Sequence, residues 1–153
     1  MSSARDFSRD ATGAAYAALH LSLRASPEVG PAIYGPTFAQ QVIGDGTDAL
    51  RAEIDAAYGD LQAAAAVPYG RPAGKVRASA LGYRVDALDR AMASVRLLMS
   101  STDDYGNPAL TTCVVQLRWV EGDWKMLAPP GGDWAPMVAL VYSQSGFTPF
   151  PSP

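Results

Sequence analysis

Cysteine and histidine are all but missing, since the 153 residues contain one of each, Cys113 and His20. A lone cysteine excludes an intramolecular disulfide and leaves the redox compartment open. A lone histidine excludes any site that needs two imidazoles, and no G-x-S-x-G elbow accompanies it to suggest a serine triad. An excess of one charge is missing as well. The net charge of −3 gives no long-range field to draw the molecule onto nucleic acid or an anionic membrane. Nothing approaches the roughly 18 consecutive apolar residues of a membrane span. The opening MSSARDFSRD has no apolar core and does not read as a signal peptide.

What is present is a hairpin. In the stretch ALTTCVVQLRWVEGDWKMLAPPGGDW, residues 109–134, Cys113, Val115, Leu117 and Trp119 alternate with Thr112, Val114, Gln116 and Arg118. That period of two marks a strand with two different faces. Val120-Glu121-Gly122-Asp123 reads as the turn, with Gly122 free to take positive φ. Trp124, Met126 and Ala128 alternate on the return, and Pro129-Pro130 ends the strand because proline cannot donate to a ladder. Cys113, among these positions, reads as a small buried hydrophobe.

Helical periodicity precedes the hairpin. Residues 1–9 are polar and read as loosely attached. A helix from Asp10 or Thr12 to Arg24 is apolar nearly all round, leaving Gly13, Ala17, His20 and Arg24 as the strip suited to water. A helical turn is expected after Ser26-Pro27-Glu28, and a brief helix over Thr37 to Val42 with Phe38 and Val42 inward. Thr47 is expected to cap a helix over Asp48–Ala65 whose Leu50, Ile54, Ala57, Tyr58, Leu61 and Ala65 share a face. After Gly74 the period becomes alternating: a strand over Lys75–Asp86 with a bulge near Gly82, a turn over Asp86–Arg90, and a strand over Ala91–Ser100. Met137–Tyr142 fits either a short strand or a helical turn, and Gly146–Pro153 reads as proline-stiffened coil. Helices first and an antiparallel meander after them predict one α+β domain over residues 10–144, its helices packed on a curved sheet, with 145–153 as a proline-rich tail.

Chemistry is sparse. Asp86, Asp103, Asp104 and Asp123 fall in or beside predicted turns, which accounts for them. Asp103-Asp104 with Asn107 falls short of the oxygen ligands a calcium loop needs. Gly70-Arg71-Pro72-Ala73-Gly74-Lys75 is one residue short of a phosphate loop, lacks the hydroxyl residue after lysine, and leads into a strand. Gly44-Asp45-Gly46 begins a dinucleotide fingerprint that Ala49 does not complete. The basic residues from Arg71 to Arg90 are not interleaved with aromatics, so they read as a solvated face rather than a nucleic-acid platform. No cofactor or metal site is expected. Trp134, Phe147 and Phe150, on proline- and glycine-rich segments, either pin the tail to the domain or dock on a partner.

Residues 7–150 resemble a group of actinobacterial proteins of conjugative elements. The resemblance rests on FSRDATGAAYAALHLSLRASPEVGPAIYGPT, AQQVIG, LGYRV, and RWVEGDWKMLAPPGGDW followed by GFTPF. The W-x-x-G-D-W-K hairpin ending in Pro-Pro is similar to one in many nuclear transport factor 2-like, or cystatin-like, cone domains. The resemblance implies a non-enzymatic assembly module of a conjugation or type IV secretion apparatus, partnered by other apparatus proteins and by copies of itself. It further implies placement on the extracytoplasmic face of the membrane through an anchor that these residues do not supply; a chain without such an anchor would be cytoplasmic. The alternative on the same fold is a small-molecule-binding cone, or an isomerase or cyclase with Tyr16, Tyr83 or Asp86 in an apolar pocket. A packed interior would favour the assembly module and an open pocket the alternative.

Overall fold

Asp10 starts the first helix, its carboxylate accepting from the Gly13 amide at 2.7 Å. In this computed structural model, which describes residues 7–73, 79–102 and 105–151, that helix is α1 (Ala11–Arg24). It is followed by α2 (Pro31–Gln40), β1 (Val42–Ile43) and α3 (Thr47–Ala65). The strands are β2 (Ser79–Leu88), β3 (Met92–Thr102), β4 (Pro108–Val120), β5 (Asp123–Leu127), β6 (Val138–Val141) and β7 (Thr148–Pro149). The domain is α+β, with α1 packed on one face of a sheet ordered β1-β5-β4-β3-β2-β7, and β6 paired with the other half of the β4 edge that carries β5. All neighbours are antiparallel except β1 and β5.

Small side chains let α1 lie close to the sheet, and Ala14, Ala15, Ala17, Ala18 and Leu21 are wholly buried. They meet Val95 and Leu97 of β3, Val115 and Leu117 of β4, and Trp124 and Met126 of β5 in one core. The expected water-facing strip of α1 needs correction, because Gly13 and Ala17 are buried. For Gly13 the cause is the N-terminal stretch, which is tied down from Phe7 onward, residues 1–6 lying outside the described residues. A Cβ on Gly13 would run into the Ser8 carbonyl. The Phe7 amide donates to Asp123 at 3.1 Å, and the Trp124 indole donates to Ser8 O at 2.9 Å.

Several other expectations shift for physical reasons. Pro36 lies inside α2 rather than before a short helix. The Thr37 hydroxyl donates to Ile33 O at 2.9 Å, and Val42 belongs to β1, beyond the helix. Thr47 is the first residue of α3 and Gly46 its cap; the Thr47 hydroxyl donates backward to Gly44 O at 2.8 Å. On the expected apolar face of α3, Ala65 is exposed. The hairpin turn uses positive φ at both Glu121 (54°) and Gly122 (82°), as a two-residue hairpin that matches strand twist requires.

The expected bulge is present at Leu81, and a second falls at Asp86, which therefore lies inside β2 and not in a turn. The turn comes later, where Asp89 accepts from the Ala91 and Met92 amides, both at 2.8 Å. Residues 75–78 of the expected strand, with Asp103 and Asp104, lie outside the described residues. Within the expected coil of the tail, Thr148 and Pro149 pair with Tyr83 and Gly82 as β7, and residues 152–153 lie outside the described residues. Of the two readings of 137–142, Ala135–Met137 forms a 3-10 turn and Val138–Val141 the strand β6.

Candidate interaction surface

The space between helices and sheet is filled. Tyr34, Tyr58 and Trp124 are among the largest fully buried side chains, and the Tyr34 ring stands edge-on to Phe38 and Tyr58 with centroids 6.2 and 6.1 Å away. Their polar ends are satisfied: Tyr34 OH donates to Asp55 at 2.7 Å and Tyr58 OH to Arg71 O at 2.7 Å. Burial, with the Asp55 carboxylate adding to it, pushes the Tyr34 phenol far above its ordinary value. Burial pushes the Cys113 thiol up to about 11, so it stays protonated and unreactive at neutral pH.

Tyr16, Tyr83 and Asp86 do not converge. Tyr16 of α1 and Tyr83 of β2 both meet Phe150, at 5.7 and 5.0 Å between ring centroids, so the tail occupies the space between them. Asp86 faces the opposite side of the sheet, accepting from Arg84 at 2.8 Å and Arg96 at 2.9 Å. Partial burial pushes its carboxyl up, but the bonds and charges of the two guanidiniums outweigh that and hold it below the ordinary carboxylate value. A general base needs the reverse shift. His20 stacks between Phe7 and Tyr16 at 6.1 and 6.2 Å, and partial burial, helped by the Arg24 charge, lowers its pKa.

The three tail aromatics are engaged within the chain. Trp134 packs against the core, Phe147 lies under the Arg84 guanidinium at 5.4 Å, and the Phe150 amide donates to Leu81 O at 3.0 Å. Surface clefts of about 430, 440 and 490 Å³ lie at the hairpin turn (Gln40, Glu121, Lys125), beside Arg9 and Arg90, and near Asp45 and Gln116. Each sits outside the helix–sheet interior. Among the described residues, no group of three His, Cys, Asp or Glu side chains is placed to hold a metal, and no helix is long and apolar enough to cross a membrane.

The surface that sequence reasoning missed is a corner of the sheet. Val138, Leu140 and Tyr142 are 44%, 66% and 94% exposed, and Tyr105, in the β3–β4 turn at the same end of the sheet, is 90% exposed. Register places Val138 and Leu140 on the α1 side of the sheet, opposite Cys113 and Thr111, where the helices do not reach. Among the described residues, β6 pairs on one edge only, with β4. A signal for this corner was available, since no charged residue occurs after Asp133. Exposed sheet edges ordinarily carry charge or proline to block further pairing.

No curated protein and no solved structure matches this chain. A family model matches residues 3–149, nearly the whole sequence, and by that match the chain belongs to the family described as a domain of unknown function, DUF8175.

Proposed function

We propose that this domain is a non-enzymatic assembly module of a conjugation or type IV secretion-type membrane machine. In this reading it has the nuclear transport factor 2-like cone fold and acts at the extracytoplasmic membrane face, through an anchor outside these residues. The observation that carries the interaction role is the uncharged β6 edge with Val138, Leu140 and Tyr142 open to solvent. Contiguous apolar surface of this kind marks protein contact sites. The packed interior around Tyr34, Tyr58 and Trp124 adds support, because pocket chemistry on such a fold needs open volume there. The resemblance of the opening helix, the hairpin and the GFTPF tail supplies the particular machine.

The test is made in cells that carry the element. Leu140→Lys at the native locus is expected to lower DNA transfer at least tenfold, with the protein still present at its normal level in the membrane fraction. Unchanged transfer, or wild-type protein found wholly outside the membrane fraction, would sink the proposal.

A further inference from the structure

We infer that the occupant of the β6 edge is a second copy of this chain, added antiparallel about a two-fold axis through Leu140. The inference deepens the assembly reading and rests on it for its biological meaning. Antiparallel pairing centred on Leu140 sets Leu140 against its own copy, Val138 against Tyr142, and Ala139 against Val141. Every one of these pairs is apolar. Val138 and Leu140 share the α1 side of the sheet by register, and exposed Tyr142 directly follows the end of β6, so exposed apolar side chains of the two copies meet around the axis. An isologous contact demands such self-complementarity.

Charge points to the same occupant. In this pairing a charge on the axis would meet its own copy, and a lone charge beside it would be desolvated against an uncharged residue, but the segment from Trp134 onward carries no charged side chain. The row across β6, β4 and β3 (Ala139, Thr112, Leu98) continues into the partner, giving one sheet through both copies. Tyr105 and Tyr142 lie at the end of this edge and can extend the contact. A four-residue strand with three large apolar side chains buries less than the ~1,200 Å² of a standard stable interface, so affinity in the micromolar range or weaker is expected. Local tethering at a membrane would raise the effective concentration toward that range.

The experiment is sedimentation equilibrium of the purified chain from about 10 μM to 1 mM. The mass is expected to rise from the 16.1 kDa of one chain toward twice that value. Leu140→Lys is expected to hold the monomer mass throughout, with an unchanged thermal melt. Leu140→Cys in a Cys113→Ser background is expected to form a covalent dimer under mild oxidation, because Leu140 faces itself across the axis. A wild-type chain that stays monomeric at the highest concentration overturns the inference. So does a dimer that survives Leu140→Lys, or a Leu140→Cys chain that dimerises without forming the covalent link. The two proposals separate cleanly. A monomeric wild type whose DNA transfer is lost on Leu140→Lys removes the second copy and keeps the assembly role. A dimer broken by Leu140→Lys without effect on transfer does the opposite.

Discussion

Thr112 holds a hydroxyl oxygen that is buried, 1% exposed as a residue, and without a hydrogen-bond partner among the described residues. A buried polar group left unpaired keeps its desolvation cost with nothing to offset it. Thr112→Val keeps the branched shape and removes the hydroxyl, and is expected to raise unfolding stability by about 1 kcal/mol or somewhat more, read from the denaturant midpoint at constant m-value. Other single residues are fixed by backbone approach. A Cβ on Gly132, at φ +72°, would stand 2.8 Å from the Ala49 carbonyl carbon, so the Pro-Pro-Gly-Gly loop is pressed against the start of α3. That contact is not legible in the sequence. The two prolines announce the end of a strand by local chemistry, but which helix the glycine must touch is a tertiary fact. Asp86 misleads for a related reason. An aspartate between a strand and a glycine-free turn looks like turn chemistry, while its actual position is a bulge where it pairs with Arg84 and Arg96.

At the level of elements, β6 and β7 lie on opposite sides of the β4-β3-β2 core of the sheet, yet only Tyr142–Phe147 connects them. The crossing spans four strand spacings, roughly 19 Å, and the seven steps from Val141 to Thr148 reach at most about 25 Å. The connection therefore has little slack, although it still includes a turn in which the Phe147 amide donates to Gln144 O at 3.4 Å. Leu98 and Thr112 point to the face away from α1 by register and are nonetheless buried. Phe150 fastens its far end against Tyr16 and Tyr83. Phe150→Ala is expected to cost about 3 kcal/mol. Amide exchange at Phe147–Phe150 should quicken far more than at β3 or β4, whereas uniform quickening would contradict a local fastening. The long elements, α1, α3 and the β4–β5 hairpin, are legible in the sequence because each repeats its period over several turns or pairs. The two-residue strands β1 and β7 are not, since they exist only through the partner that holds them.

For the molecule as a whole, pH acts in two windows. The unfolded His20 titrates near 6.5 and the folded one lower, so between those values the unfolded state binds more protons. Stability is expected to decline as pH falls through about 6.5 toward the folded value, and His20→Gln is expected to flatten that decline in midpoints measured between about pH 8 and pH 5. A variant with the wild-type slope would assign the decline elsewhere. The second window lies below the ordinary value of 3.8 for Asp10, Asp86 and Asp89. Asp10 is held down by the Gly13 amide and Ser8, Asp89 by the Ala91 and Met92 amides, and Asp86 by its arginines, which outweigh its burial. Their stabilisation is present above 3.8 and is lost as pH falls through their folded values.

The aromatic row on α1 has a consequence for how the chain is wired. Phe7 rests on His20 and Phe150 on Tyr16, and these two rings are themselves 6.2 Å apart on adjacent turns of one helix. Phe7 and Phe150, near the two limits of the described residues, thus rest on neighbouring rings of one helix. With Phe7 and Phe150 joined through a glycine–serine linker, the chain could be reopened at an exposed turn such as Gly106-Asn107. Such a circular permutant would carry every contact described above, with β4 as its first element instead of α1.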